Sequence, residues 1–187
     1  IEGEGFTVAG ISLVNRTVTL TLDEKTDIRK VTIDKAEFDV ATSNPMMTDK
    51  EKFISQIRTS QPLCGEFDLR APLYVTLSLY QDYEWTIVAE QPIARSFTVA
   101  GQIGSTLIDT QAHTATAYVA EGTDLKAVTV TSLKLGPADI TTYSPTAEEL
   151  SATGFETVRL VDVTCHGRTE RWMLHVQPTN VKIGIRD

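Results

Sequence analysis

The residues with which this chain could do chemistry are three histidines, two cysteines, several turn carboxylates and a group of tyrosines. Catalysis needs a base, a nucleophile and an orienting group, or a metal with an open position. His113 precedes a strand-like run, His166 sits in a turn, and His175 alternates away from the side of Trp172. None has a second His or Cys at ligand spacing, and neither His-Glu-x-x-His nor Cys-x-x-Cys occurs, so the histidines read as surface polar residues. Asp23, Glu24, Asp27, Glu121 and Asp124 are the ligand type calcium prefers, but their spacing fits no calcium loop and they read as solvated turn charges. There is no glycine-rich phosphate loop and no Gly-x-Ser-x-Gly elbow. The expectation is a non-enzyme with no metal and no other cofactor.

The tyrosines offer more. Leu73–Tyr80 and Glu84–Ala89 read as two strands joined by Gln81-Asp82-Tyr83, a hairpin by length and polarity. Val75, Leu77 and Leu79 share its inner face with Trp85, Ile87 and Ala89. Tyr74, Tyr80 and Tyr83 are then expected on the outer face and turn, and they are the candidate ligand contacts. Exposed tyrosines supply flat apolar area with a polar edge, which suits a glycan or a protein surface. The competing reading packs them against the linker or a neighbouring module.

These residues are positioned by a repeat. Phe6-Thr7-Val8-Ala9-Gly10 returns as Phe97-Thr98-Val99-Ala100-Gly101, and Thr17–Ile33 matches Thr114–Val130 position for position. Asn44-Pro45 is answered by Ser144-Pro145, Trp85 by Trp172, and Gln91-Pro92 by Gln177-Pro178. Two tandem modules of about 85 to 90 residues follow, near the lower end of comfortable domain size. Module one is expected over 1–94 and module two over 95–180, with 181–187 starting a further module or forming a tail. Ile1 is not a natural start, so the sequence reads as a piece of a longer modular string.

Within each module the apolar period is two. Val18, Leu20 and Leu22 alternate with Thr17, Thr19 and Thr21, and Ala115, Ala117 and Val119 with Thr114, Thr116 and Tyr118. Ile1–Gly5 reads as a frayed leader, and Ile28–Ile33 as a second short strand. Thr48 before Glu51, and Thr146 before Glu149, have capping-box spacing, so each module should hold a short helical turn. In the second module Val161–Cys165 and Arg171–Val176 should flank a His166-Gly167-Arg168 turn. Cys64 and Cys165 fall one per module at non-equivalent places, so neither module closes its own disulfide and two small thiols are expected. The whole reads as all-β: two tandem immunoglobulin-like β-sandwiches, on strand count and alternation and without the cysteine pair of antibody domains.

Composition narrows the partners. The formal net charge is −8, which disfavours nucleic acid and anionic membrane surfaces. No apolar run approaches the roughly 20 residues that cross a bilayer.

Four segments carry a family resemblance: Asp82–Ile87, Phe97–Gly104, Lys134–Pro137 and Cys165–Trp172. Together they resemble the N-terminal paired modules of certain Bacteroidetes cell-surface lipoproteins. Those proteins carry tandem immunoglobulin-like domains, a fibronectin-type module and a C-terminal carbohydrate-metabolism (PCMD-type) domain. The resemblance implies a cell-surface or outer-membrane protein, lipid-anchored through an N-terminal segment, with further domains C-terminal to this sequence. It implies a spacer or scaffold, and it supplies no catalytic or binding residues. Two alternatives stand beside it: a module binding a glycan or another surface protein through the tyrosine hairpin, and an adhesin or pilus-like subunit.

Overall fold

The computed structural model describes residues 1–40 and 49–179, and these divide into two units, Ile1–Pro92 and the part from Ile93 onward. Both are all-β and sandwich-like. The first runs β1 (Glu2–Gly3), β2 (Phe6–Ser12), β3 (Thr17–Leu22), β4 (Val31–Lys35), α1 (Lys50–Ser55), β5 (Arg58–Thr59), β6 (Gly65–Phe67), β7 (Leu73–Ser78) and β8 (Asp82–Glu90). The second runs β9 (Ser96–Val99), β10 (Leu107–Asp109), β11 (Thr114–Ala120), β12 (Val130–Lys134), β13 (Thr142–Ser144), α2 (Ala147–Thr153), β14 (Arg159–Cys165) and β15 (Arg168–Thr179).

Each unit builds a five-stranded sheet of the same order, β2-β3-β8-β7-β5 in the first and β10-β11-β15-β14-β13 in the second. A smaller sheet accompanies each: β1-β4-β6, and β9 with β12. At the centre of each large sheet an early strand lies parallel to the last one. Thr17 through Thr21 stand opposite Thr86 through Glu90, and Thr114 through Ala120 opposite Met173 through Thr179. A parallel pair requires a long crossover, and here the crossover is most of the unit.

The alternating threonine strands behave as their period demands. Val18, Leu20 and Leu22 are buried and the intervening threonines half-buried, so one side of β3 enters the core. The first core gathers Phe6, Val18, Leu20, Leu22, Val31, Ile33, Leu69 and Ile87. Ile1 packs on it and β1 pairs with β4, so Ile1–Gly5 is an integral edge of the small sheet and not a frayed leader. The second short strand begins later than the sequence indicates, at Val31, because Ile28–Lys30 is taken up by a turn closed by Lys30 N–H to Asp27 O at 2.8 Å.

The second core is more complete. Trp172, Phe97, Phe155, Leu135, Leu150 and Leu174 are almost wholly buried. Thr146 and Glu149 form the expected capping box: the Glu149 carboxylate accepts from Thr146 N–H at 2.8 Å, and Thr146 Oγ1 accepts from Glu149 N–H at 3.3 Å. The helix ends at Gly154, whose φ of +71° and close approach to the carbonyls of Leu125 and Lys126 leave no room for a Cβ. In the first unit Thr48 lies outside the described residues. There Asp49 caps α1, accepting from Lys52 N–H at 3.1 Å, and the helix stops before Ile57 with no buried residue. The run Val181 to Ile185 likewise lies outside the described residues; β15 itself reaches Thr179.

The pentapeptide repeat does not superpose in the fold. Phe6 opposes Leu22 in the large sheet, whereas Phe97 lies on β9 and opposes Leu133 in the small one. Gln102, bridged to Val119, takes the place that Phe6 holds, and the connection from Gln102 to Thr110 contains a strand of its own, β10. The chain leaves the small sheet before Phe6 in the first unit and after Val99 in the second, so identical residues serve different sheets.

Trp85 and Trp172 occupy matching sites on the last strand, opposite Val75 and Val161. Trp172 is fully buried and Trp85 half-buried. Trp172→Ala should therefore cost about 3–5 kcal/mol, and Trp85→Ala clearly less, in urea unfolding followed by circular dichroism. Gly154→Ala should cost more than about 1 kcal/mol in the same assay, since alanine is strained at that φ and meets backbone. Equal losses at the two tryptophans would contradict this packing.

Candidate functional site

The tyrosine hairpin turns earlier than its sequence suggests. The strands pair from Leu73 opposite Ile87 to Ser78 opposite Asp82, so Leu79, Tyr80 and Gln81 form the loop. Asp82 and Tyr83 are strand residues. Ser78 Oγ donates to the Asp82 carboxylate at 2.6 Å and pins the strand ends there.

This shift separates the three tyrosines. Directly opposed residues share a face, so Tyr74 goes with Thr86 on the outer face and is 58% exposed. Tyr83 goes with Leu77 on the core-facing side, beneath the Arg16 guanidinium at 5.0 Å from the ring centroid. Tyr80 sits in the loop, 82% exposed, with its ring edge-on to Phe53 at 6.4 Å. The expectation of a shared outer surface is corrected for Tyr83, which lies on the opposite side of the sheet from Tyr74. Only Tyr74 and Tyr80 present a mostly open ring.

A second constellation escaped the sequence reading. Arg16 (φ +49°) and His113 (φ +53°) adopt left-handed backbone immediately before β3 and β11. Their carbonyls accept from Thr86 N–H and Met173 N–H, each at 2.9 Å, which extends the parallel pairing by one bond. The side chains land on equivalent parts of the last strand. Arg16 covers Tyr83, while His113 stacks on Trp172 with ring centroids 5.2 Å apart and an interplanar angle of 24°. Glu170 stands 3.7 Å from His113 Nε2 and accepts from the Trp172 indole N–H at 3.4 Å. Arg95 lies over the Trp172 ring at 5.8 Å and donates to Leu135 O at 3.1 Å. No nucleophile or metal ligand completes a reacting set among these named residues. The group seals the tryptophan. Matching Thr17 with Thr114 places Arg16 on His113, which is the one signal that could have exposed it.

Two of the turn carboxylates, Asp27 and Asp124, have structural duties. Asp27 accepts from Arg29 N–H and holds its guanidinium at 2.9 Å, and Asp124 accepts from Lys126 N–H at 3.0 Å to cap the 3₁₀ turn Leu125–Ala127. Among the described residues no three His, Cys, Asp or Glu side chains gather as metal ligands. A shallow depression beside β1 and β4 is lined by Glu4, Gly5, Thr26, Lys30, Thr32 and Asp34, with Thr26 Oγ1 donating to Gly5 O at 2.8 Å. Cys64 is exposed and Cys165 half-buried, and both are free thiols. No helix among the described residues is long and apolar enough to cross a membrane. A scan against protein-family models finds no match, and neither does a search of curated proteins.

Asp68 is held down to about 2 from 3.8, first by the hydrogen bond from the Arg70 side chain and then by the Arg70 backbone N–H. A depressed folded-state value means this pairing contributes fully above the unfolded value and is lost as pH falls through about 2. Both partners are exposed, so the effect on global stability is small. An NMR titration of the Asp68 carboxyl should give a midpoint near 2, returning toward 3.8 in Arg70→Ala. An unchanged midpoint in the variant would refute the assignment of cause.

Proposed function

We propose that the chain is a pair of immunoglobulin-like modules acting as a non-catalytic spacer on a bacterial cell surface, holding a distal carbohydrate-related domain of a lipid-anchored protein away from the membrane. Strand order supports the immunoglobulin-like reading. In the first unit β1-β4-β6 corresponds to strands A, B and E, and β5, β7 and β8 to C, F and G. The tryptophan departs from that pattern, standing on the last strand and not on C.

The observation that carries the spacer reading is the path of the chain through the second unit. Arg95 lies over Trp172, beside the start of β11, and β15 runs on to Thr179 opposite Ala120, at the far end of the same pair. The entry and Thr179 are therefore separated by the length of β15 from Trp172 to Thr179, about 23 Å at the usual strand rise. A module crossed in this way adds reach.

A second reading, glycan or protein binding, is favoured by the open rings of Tyr74 and Tyr80. Binding of the chain to a glycan array separates the two. The spacer reading expects a blank array from a folded sample. Reproducible hits abolished by Tyr80→Ala, with melting unchanged, would replace it with the binding module. Pulling the chain by its ends should also give two unfolding events, each lengthening it by about 30 nm. Extension without resistance would overturn the spacer.

A further inference from the structure

The dipeptide Gln-Pro closes both copies of the repeat, and the two copies use it differently. Gln177-Pro178 lies within β15, where Gln177 is exposed and Pro178 still stands opposite Val119. Gln91-Pro92 lies just beyond β8, whose pairing with β3 stops at Glu90 opposite Thr21. Pro92 has no N–H with which to carry the ladder on. The Gln91 side chain takes over. Its carboxamide Nε2 donates to the carbonyls of Asp23, Glu24 and Thr26 at 2.9, 3.3 and 2.7 Å, all in the turn that follows β3. Two N–H bonds are shared among three acceptors.

Comparison of the two turns shows why this one has carbonyls to give. Matching Thr17 with Thr114 places Asp23 on Ala120 and Thr26 on Thr123. In the second unit Thr123 closes the turn on itself, donating to Ala120 O by its N–H at 3.1 Å and by its hydroxyl at 2.7 Å. In the first, Thr26 N–H donates to Asp23 O at 3.0 Å, but the Thr26 hydroxyl turns away to Gly5 O at 2.8 Å. A carbonyl oxygen has two lone pairs. The second one on Asp23 O goes to Gln91.

The chain is caught again on entering the second unit. Lys134 Nζ donates to Ala94 O, and Arg95 Nε donates to Leu135 O at 3.1 Å, beside the pairing of Ser96 with Lys134. Pro92 and Ile93 are left between these anchors, and the proline ring fixes its own φ and restricts Gln91 before it. We infer that Gln91 is a latch that sets the length of the hinge between the units. With the latch made, the hinge is Pro92–Ile93; with it released, the hinge extends back to the end of β8. A single carboxamide can let go of the turn without unpairing β8 from β3, which a backbone ladder cannot do. The inference stands apart from the spacer reading.

The test is 15N relaxation of the whole chain, read at the backbone amides on either side of Pro92. Gln91 and Arg95 should show order parameters near about 0.85, as in the strands, with a dip confined to Ile93. Gln91→Leu keeps a side chain of similar length and removes the donor, and the amides of residues 90 and 91 should then fall below about 0.6. Gln91→Glu should do the same, because an ionised carboxylate only accepts and would face the three carbonyls. Gln177→Leu, the same change in the other Gln-Pro pair, should leave the profile as it was. Circular dichroism checks that each variant is folded; should Gln91→Glu fail to fold, Gln91→Leu decides alone. A dip that already includes Gln91 in the native chain, an ordered Ile93, or a profile that Gln91→Leu does not change would overturn the inference.

Discussion

The rest of each unit depends on the parallel contact between an early strand and the last one. β3 against β8, and β11 against β15, sit at the centre of their sheets, with every other large-sheet strand added outward from that pair. Most of the unit lies between the two strands in sequence. The pair therefore closes the longest loop in the unit, and its burial must offset that entropy. The solution is the same twice: small or apolar residues alternate on the inner side of the early strand, and a tryptophan lies on the last strand just before the pairing begins. A left-handed residue starts the parallel run in each, Arg16 or His113, and its carbonyl makes the first bond while its side chain covers a ring of the last strand, Tyr83 in the first unit and Trp172 in the second.

The two copies have diverged in how tightly that plan is packed. In the second unit Phe97, Phe155 and Leu150 share one buried core with Trp172, and the capping box and Gly154 fix α2, whose Leu150 is buried. In the first, α1 contributes no buried residue and Trp85 is half-buried. The second unit is the more tightly packed of the two. The first exposes more: Tyr74, Tyr80 and the uncharged β2 edge all belong to it.

The sequence by itself determined a good deal. Alternation over Thr17–Leu22 and Thr114–Ala120, the matched tryptophans and the Thr146–Glu149 capping box are local signals, and each needs only a residue's neighbours to take effect. The β-rich, sandwich-like character follows from them. What only the tertiary structure decided is which strand meets which. The Phe6 and Phe97 pentapeptides are identical, yet they lie in different sheets because the chain changes sheet at a different point in each unit. Tyr83 looked like a turn residue beside Gln81 and Asp82. Pairing of Ser78 with Asp82 moved the turn toward Tyr80 and, because side chains alternate, put Tyr83 on the opposite side from Tyr74. Ile1–Gly5 looked polar enough to fray, but β4 offered it a partner. Period and capping are written in short windows of sequence; register and sheet membership are set by contacts between residues far apart in the chain.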